Sequence, residues 1–364
     1  MSAALRLIER EGLDDVVRVP GRGPQLPEHR VLGGVAARAR GRPGAAGRRV
    51  RVGGLGGAVS ESPLADWHER AGVRVDPRRV LGGDLDAGKV LFPERLIPYL
   101  AHPLVAGLDP GTREQLVARH AYQYFAFTAH FETRVVNRAT ELIANGRTDV
   151  VLGGDVREDA YKIYCDEAYH ALYSFDVVRQ LEAATGVAAL PYTFEPVITE
   201  LDAVAAECLP QAGSLPYLLQ VVVFETLITS LLAELPNDPD LVGLVRTTVR
   251  DHARDEGRHH AYFARFFREL WTGCDLRTRR EMATALPRLI TQSLRPNQDA
   301  VAATLRAAGL AEPQVRDVLA DVYAPDRVRQ TAREQSVQSV RLFRAAGVLD
   351  LPGADEAFAQ EGLI

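Results

Sequence analysis

The chain of 364 residues is 46% hydrophobic and 25% charged, which is the composition of a soluble globular protein that buries a substantial core. A formal net charge of -5 and a pI near 6.0 show no bias towards polyanions, so we expect neither nucleic-acid nor membrane partners. Cys165, Cys208 and Cys274 form no C-x-x-C pair, so we predict no disulfide framework or zinc ribbon and expect a reducing, cytoplasmic compartment.

Residues 1–59 are predicted to form a poorly ordered or atypical segment. The stretch from Gly33 to Gly57 is rich in Gly, Ala and Arg and has few large apolar side chains, so it cannot offset the entropy lost on ordering. No aromatic residue interleaves the arginines, which favours a solvated linker over a nucleic-acid-binding arm. A misread frame in GC-rich DNA would have the same composition. Residues Met1 to Gly12 lack the apolar stretch of a secretory signal.

From about residue 60 the spacing of apolar residues predicts an all-α domain over 60–350, followed by a C-terminal tail over 351–364. The stretch from Leu218 to Leu235 is apolar on nearly every side, but it carries Glu225 at its middle and is interpreted as a buried helix rather than a membrane span. Four of the predicted helices are long enough to build a bundle, namely 112–145, 157–185, 215–235 and 239–272. The remaining helices are predicted at 90–106, 197–211, 277–308 and 325–346.

The motif D-E-x-x-H occurs twice, in helices from different halves of the predicted bundle. It places Glu167 three residues before His170, and Glu256 three residues before His259. Residues at i and i+3 share one helix face, so each pair can ligate the same metal ion. A single E-x-x-H is common by chance, but two copies with the same preceding aspartate are specific.

Two single glutamates complete the pattern, because Glu132 and Glu225 each lie mid-helix among apolar residues. A buried carboxylate ordinarily takes up a proton, whereas divalent cations would keep all four glutamates ionised. A Glu-x-x-His on each of two helices and a Glu on each of two others is the ligand set of ferritin-like di-iron or di-manganese bundles. We therefore predict a ferritin-like four-helix bundle with additional surrounding helices.

Three further residues fit this metal-site prediction. Asp166 is predicted to hold the far ring nitrogen of His259, and Asp255 that of His170, as carboxylates commonly do for metal-ligating histidines. His252 lies four residues before Glu256 on the same helix face and could add a third nitrogen to one ion. The spacing of two other histidines places them off the ligand faces, namely His130 and His260.

The order Glu132, Glu167-x-x-His170, Glu225, His252-x-x-x-Glu256-x-x-His259 resembles the AurF-like non-haem di-iron N-oxygenases, in which the third histidine is the distinguishing ligand. The resemblance covers roughly residues 67 to the mid-300s. The stretch Trp67 to Arg74 looks like a short segment of the family, and Tyr124 resembles a tyrosine that lines the family's substrate pocket.

This resemblance implies seven metal ligands, two iron ions, O2 as co-substrate and an external electron donor, which is an electron-donor protein or a reductase. It implies an arylamine substrate that is oxidised to a hydroxylamine, nitroso or nitro product, and a homodimer acting in the biosynthesis of a specialised metabolite such as an antibiotic. The same centre could serve a hydroxylase, a desaturase or an azoxy-forming enzyme. A ferritin-type iron-storage protein is the alternative outside these enzymes. The additional helices beyond the bundle are better suited to enclosing a substrate pocket than to assembling a storage cage.

Overall fold

The structure is a computed structural model that describes residues 62–364 except Asp84, Asp86, Gln211 and Ala233, so the predictions for residues 1–59 lie outside the described part. The described residues form an all-α fold, as predicted, and contain no β-strand beyond an isolated bridge between Val90 and Leu241. The helices are α1 (Trp67–Arg70), α2 (Gly72–Val75), α3 (Pro103–Ala106), α4 (Pro110–Phe131), α5 (Asn137–Ala144), α6 (Gly154–Thr185), α7 (Glu195–Cys208), α8 (Leu215–Leu231), α9 (Gly243–Gly273), α10 (Leu276–Ser293), α11 (Gln298–Ala307), α12 (Glu312–Val322), α13 (Pro325–Gln335), α14 (Val337–Ala345) and α15 (Ala354–Gln360).

The helix boundaries follow from local chemistry. Asp109 caps α4, since its carboxylate accepts from the backbone N–H of Thr112 at 3.0 Å, and Pro110 occupies the first helical position, where no N–H is needed. Gly186 ends α6 with φ of 70°, a left-handed conformation that glycine adopts without a steric penalty.

A single π-helical turn, Glu132–Val136, joins α4 to α5 and interrupts the helix predicted over 112–145. A π turn accommodates one extra residue without breaking the helix axis, and such turns recur at functional sites. Glu132 is its first residue, so this local widening sets the direction in which a predicted ligand points.

Four helices make the bundle. Helix α4 packs against α6, α6 against α9, α9 against α8, and α8 against the π turn, which closes the ring of contacts around a common interior. Every residue of α8 from Leu218 to Ile228 is at most 3% exposed, as the prediction of a buried helix required. Among the described residues, no helix is long and apolar enough to cross a membrane.

Outer helices cover the bundle. Helix α10 packs against α7 and α8, α14 against α8, and α11 against α4. Helix α15, within the segment predicted as a tail, packs against α10 and buries Phe358 completely. These additional helices surround the bundle as the predicted fold class stated.

Three predicted helices are not continuous in the structure. The segment 90–106 forms only two short 3-10 turns and the short helix α3, since Pro93, Pro98 and Pro103 each lack an N–H and disfavour a helical residue before them. The predicted helix 277–308 breaks between α10 and α11 because Pro296 stops it. The predicted helix 325–346 is interrupted at Ser336, and α12 was missed altogether.

Candidate metal centre

All seven predicted metal ligands point into the interior of the bundle, and each is at most 3% exposed. The π turn supplies the first, α6 the next two, α8 one, and α9 the last three. In chain order they are Glu132, Glu167, His170, Glu225, His252, Glu256 and His259.

Their side chains form two overlapping groups, and within each group one ligand atom per residue lies within 4.8 Å of all the others. The first group holds Glu132, Glu167, His170, His252 and Glu256. The second holds Glu167, Glu225, Glu256 and His259. Glu167 and Glu256 belong to both groups, so these two carboxylates can bridge a pair of ions, whereas the other residues can serve one ion each.

The distances in the first group are short for side chains of one buried cluster. Nε2 of His252 lies 3.1 Å from Oε1 of Glu256 and 3.3 Å from Oε1 of Glu132. Nδ1 of His170 lies 2.9 Å from Oε2 of Glu167 and 3.3 Å from Oε1 of Glu256. His252 therefore joins the same group as His170, which gives this group two nitrogens.

The second group is arranged around one histidine. Nδ1 of His259 lies 2.7 Å from Oε1 of Glu167 and 3.4 Å from Oε1 of Glu256. Despite the 2.7 Å approach, neither Nδ1 of His259 nor Oε1 of Glu167 has a hydrogen-bond partner. Both oxygens of Glu225 are also buried without a partner. Lone pairs that converge without hydrogen bonds are what a bound metal cation would satisfy.

The charges within the cluster are unbalanced. Burial, and then repulsion from Glu167 and Glu256, raises the pKa of Glu132 and of Glu225 well above the usual carboxyl value. Burial and repulsion from Glu256 would also raise the pKa of Glu167, but attraction to His259 and His170 outweighs them and lowers it to about 2.

Burial acts to lower the pKa of His170 and of His259, but attraction to Glu167 prevails and raises both pKa values well above the usual value for histidine. Burial instead lowers the pKa of His252. In the metal-free protein the cluster thus retains protons that metal ions would displace.

These residues fit a pair of divalent cations. Both oxygens of Glu132 and of Glu225 and one oxygen each of Glu167 and Glu256 are buried without hydrogen bonds, although unpaired buried oxygens are unfavourable. No lysine or arginine of the described chain forms an ion pair with any of these four glutamates. Carboxylate and imidazole donors suit iron and manganese.

The two aspartates lie where the sequence predicted. Oδ2 of Asp166 lies 3.1 Å from Nε2 of His259 and accepts from Nε1 of Trp67 at 2.8 Å. Oδ2 of Asp255 lies 3.3 Å from Nε2 of His170. A carboxylate at Nε2 holds the proton there and leaves Nδ1 free to face the cluster.

The sequence did not reveal the groups that hold these aspartates. Asp255 accepts from the backbone N–H of Gly72 at 3.2 Å and from the Arg258 guanidinium. A Cβ at Gly72 would lie 2.6 Å from Oδ2 of Asp255, so a larger residue here would displace this carboxylate oxygen. Trp67 and Gly72 lie in the segment whose family likeness was noted, but sequence order could not show which aspartate each one meets.

The two histidines predicted to lie off the ligand faces belong to neither group. His260 approaches the backbone carbonyl of Glu225 at 3.4 Å through Nδ1, and His130 is exposed, with its ring 5.2 Å from that of Phe194. Neither is a candidate ligand.

One cavity of about 250 Å³ is called here the Tyr124 cavity, and its lining residue Thr128 lies four residues before the candidate ligand Glu132. Its lining includes Tyr124, Phe127, Phe194, Ile228 and Ser293. Burial, and then the charge of Glu132, raises the pKa of the Tyr124 hydroxyl, which therefore stays protonated. An apolar, aromatic-lined cavity of this size accommodates one aromatic ring.

A second cavity, of about 300 Å³, is lined by Tyr173, Thr248 and Asp255 among others. The ring of Tyr173 lies 5.4 Å from that of His170 and 6.0 Å from that of His252. This cavity adjoins the histidine side of the first ligand group.

A comparison with known proteins adds to this geometry. A sequence profile of the family described as P-aminobenzoate N-oxygenase AurF matches residues 58–347. The 4-aminobenzoate N-oxygenase of Streptomyces thioluteus is 25% identical to this chain over 264 residues, which cover 71% of this chain and 77% of that enzyme.

Proposed function

The chain belongs to the p-aminobenzoate N-oxygenase AurF family, and from that premise we propose that it oxidises the nitrogen of an arylamine with O2 at a pair of iron ions. It is thus an oxygenase whose product is a hydroxylamine, nitroso or nitro compound. The observation that carries the proposal is the pair of overlapping ligand groups that share Glu167 and Glu256 and include His252.

The chain's own residues have distinct tasks. Glu167 and Glu256 would hold both ions, while Glu132 and Glu225 would each hold one. When bound, the iron pair supplies the electrons that activate O2. The closed bundle interior would keep bulk water away from the ions, and the Tyr124 cavity, whose lining residue Thr128 lies about one helical turn from Glu132, would hold the aromatic amine.

The direct test is to load the protein with iron, reduce it and supply 18O2 with an arylamine. We expect one or more 18O atoms on the nitrogen of the product by mass spectrometry, with about two iron ions per chain. Oxygen on a ring carbon, or no oxidation of any arylamine, contradicts the proposal, and a far larger iron content indicates storage.

His252 provides a sharper test, because it would be the donor that separates this family from other ferritin-like oxygenases. We expect His252→Ala to lose most N-oxygenation. A variant that retains both irons, measured by metal analysis, and full N-oxygenation contradicts this role for the histidine. His130→Ala is the matched control, since His130 lies outside both ligand groups.

We further propose that an external reductase or electron-donor protein reduces the ions, and that the protein works in the cytoplasm. The cluster itself contains no group that supplies electrons, since its donors are carboxylates and imidazoles. The three cysteines are free thiols, which fits a reducing compartment.

We also propose a homodimer formed through the outer face of α6. Four large apolar side chains on this face, called the α6 stripe, are 41–61% exposed: Tyr161, Tyr164, Leu172 and Phe175. Their positions are symmetric about Ala168, at seven and four residues to either side. A two-fold axis at Ala168 would pair Tyr161 with the partner's Phe175 and Tyr164 with the partner's Leu172, as an isologous interface requires.

A further inference from the structure

The Tyr124 cavity has an inner and an outer end. Thr128 and Ile228 line it, and they lie within one helical turn of the candidate ligands Glu132 and Glu225, respectively. At the other end the lining comes from Ser293, Arg295 and the loop that joins α10 to α11. An arylamine that directs its nitrogen to the metal ligands therefore directs the far side of its ring to this outer end.

Three polar atoms in the cavity lining are buried and have no hydrogen-bond partner. They are Oε1 of Gln123, the hydroxyl of Tyr124 and Oγ of Ser293. None of them contributes to the metal groups, and a buried polar atom without a partner is unfavourable. A ligand that carries both hydrogen-bond donors and acceptors would satisfy them.

The same lining offers no uncommitted cation among the residues that the structure describes. The Arg295 guanidinium forms an ion pair with Glu200 at 2.6 Å, and more than half of its side chain is exposed. His120 hydrogen-bonds with the Tyr99 hydroxyl at 3.3 Å, and burial lowers its pKa to about 4, so its ring is neutral at neutral pH. A carboxylate placed here would lose its water without gaining a counter-charge.

We propose that this cavity selects an arylamine whose ring carries an uncharged hydrogen-bonding group, such as a carboxamide or hydroxyl, in preference to an aminobenzoate. Gln123 and Ser293 act as specificity residues that pair with this group. The inference rests on the proposed N-oxygenase function and specifies its substrate class. It separates this chain from the relative whose name specifies 4-aminobenzoate.

The first test measures binding by calorimetry to the oxidised, iron-loaded protein, where no turnover occurs. Three probes of one size class are compared: 4-aminobenzamide, 4-aminophenol and 4-aminobenzoate. We expect both neutral probes to bind at least about tenfold more tightly than the benzoate. Equal or tighter binding of 4-aminobenzoate overturns the inference.

The second test uses variants at Gln123. Gln123→Leu removes the amide, so we expect the preference for 4-aminobenzamide to fall about tenfold, whereas Gln123→Arg adds a cation and should shift the preference towards 4-aminobenzoate. Gln330→Leu is the matched control, because Gln330 is exposed on α13. Iron content and thermal melting check that each variant folds. An unchanged binding ratio in a folded Gln123→Leu or Gln123→Arg variant overturns the assignment.

Different results would contradict the N-oxygenase function and the substrate class proposed for the Tyr124 cavity. If the reduced enzyme oxidises no arylamine although the binding order holds, then the N-oxygenase function is wrong and the cavity assignment survives. If the enzyme oxidises arylamines but prefers the benzoate, then only the substrate class is wrong.

Discussion

At the residue scale, the candidate ligands differ in how many ions each could serve. Glu167 and Glu256 lie in both ligand groups, whereas Glu132 and Glu225 lie in one each. Spacing alone placed all four on inward faces but could not distinguish shared from single ligands. That distinction follows only from where the side chains meet.

Removing a shared carboxylate should therefore cost more metal than removing a single one. We expect Glu167→Ala to reduce iron from about two ions per chain to less than one, and Glu225→Ala to retain about one. Metal analysis after desalting measures this, with exposed Glu114→Ala as the control. Equal iron content in Glu167→Ala and Glu225→Ala would contradict the sharing of Glu167.

The perturbed pKa values also have a consequence at this scale. Glu132, Glu225, His170 and His259 all have raised pKa values, so the metal-free fold holds their protons more tightly than the unfolded chain does. Their contribution to stability is lost as pH rises through the folded-state values. The lowered pKa of His252 acts in the opposite sense, and Glu167 titrates too low to matter between pH 6 and 8.

We therefore expect metal ions to stabilise the protein more at pH 8 than at pH 6. At pH 8 fewer protons compete for the ligands, and the metal-free fold has lost part of the stability that those protons give it at pH 6. Thermal melting of metal-loaded and metal-free protein at both pH values measures the difference between their melting temperatures. A smaller difference in melting temperature at pH 8 than at pH 6 would show that these glutamates and histidines do not bind the metal.

At the element scale, the π turn is the feature that pattern analysis could not find. The apolar periodicity through 112–145 predicted one regular helix, because a single extra residue shifts the phase too little to register. In the structure the widened turn Glu132–Val136 begins at a candidate ligand. The prolines that interrupt the predicted helices 90–106 and 277–308 are visible in the sequence.

Deleting one residue from the π turn should restore a regular helix and redirect Glu132. Thr133 is suited to this because it is exposed. We expect the deletion variant to keep its helical circular dichroism but to lose the five-residue ligand group, leaving about one iron ion per chain. Deletion of Gly309, in the loop between α11 and α12, is the control. Full iron content after deletion of Thr133 would show that the turn does not position Glu132.

At the scale of the whole molecule, the α6 stripe is a group of large apolar side chains that the described residues leave 41–61% exposed. Placing charges there should separate the proposed dimer. We expect Leu172→Glu with Phe175→Glu to be monomeric by light scattering, whereas Leu276→Glu, a similarly exposed position on α10, stays dimeric.

Two results would contradict the interface. A dimeric double variant means that another surface is used. A monomeric parent protein means that the α6 stripe is not a dimer interface.

The sequence alone determined the all-α class of fold, and it predicted the seven candidate ligands and the two aspartate–histidine pairs. It could do so because residues three or four apart on one helix share a face, whatever surrounds that helix. The tertiary structure decided which carboxylates are shared, where Trp67 and Gly72 contact the aspartates, and which polar atoms line the Tyr124 cavity. These features depend on distances between different helices, and such distances arise from packing rather than from spacing along the chain.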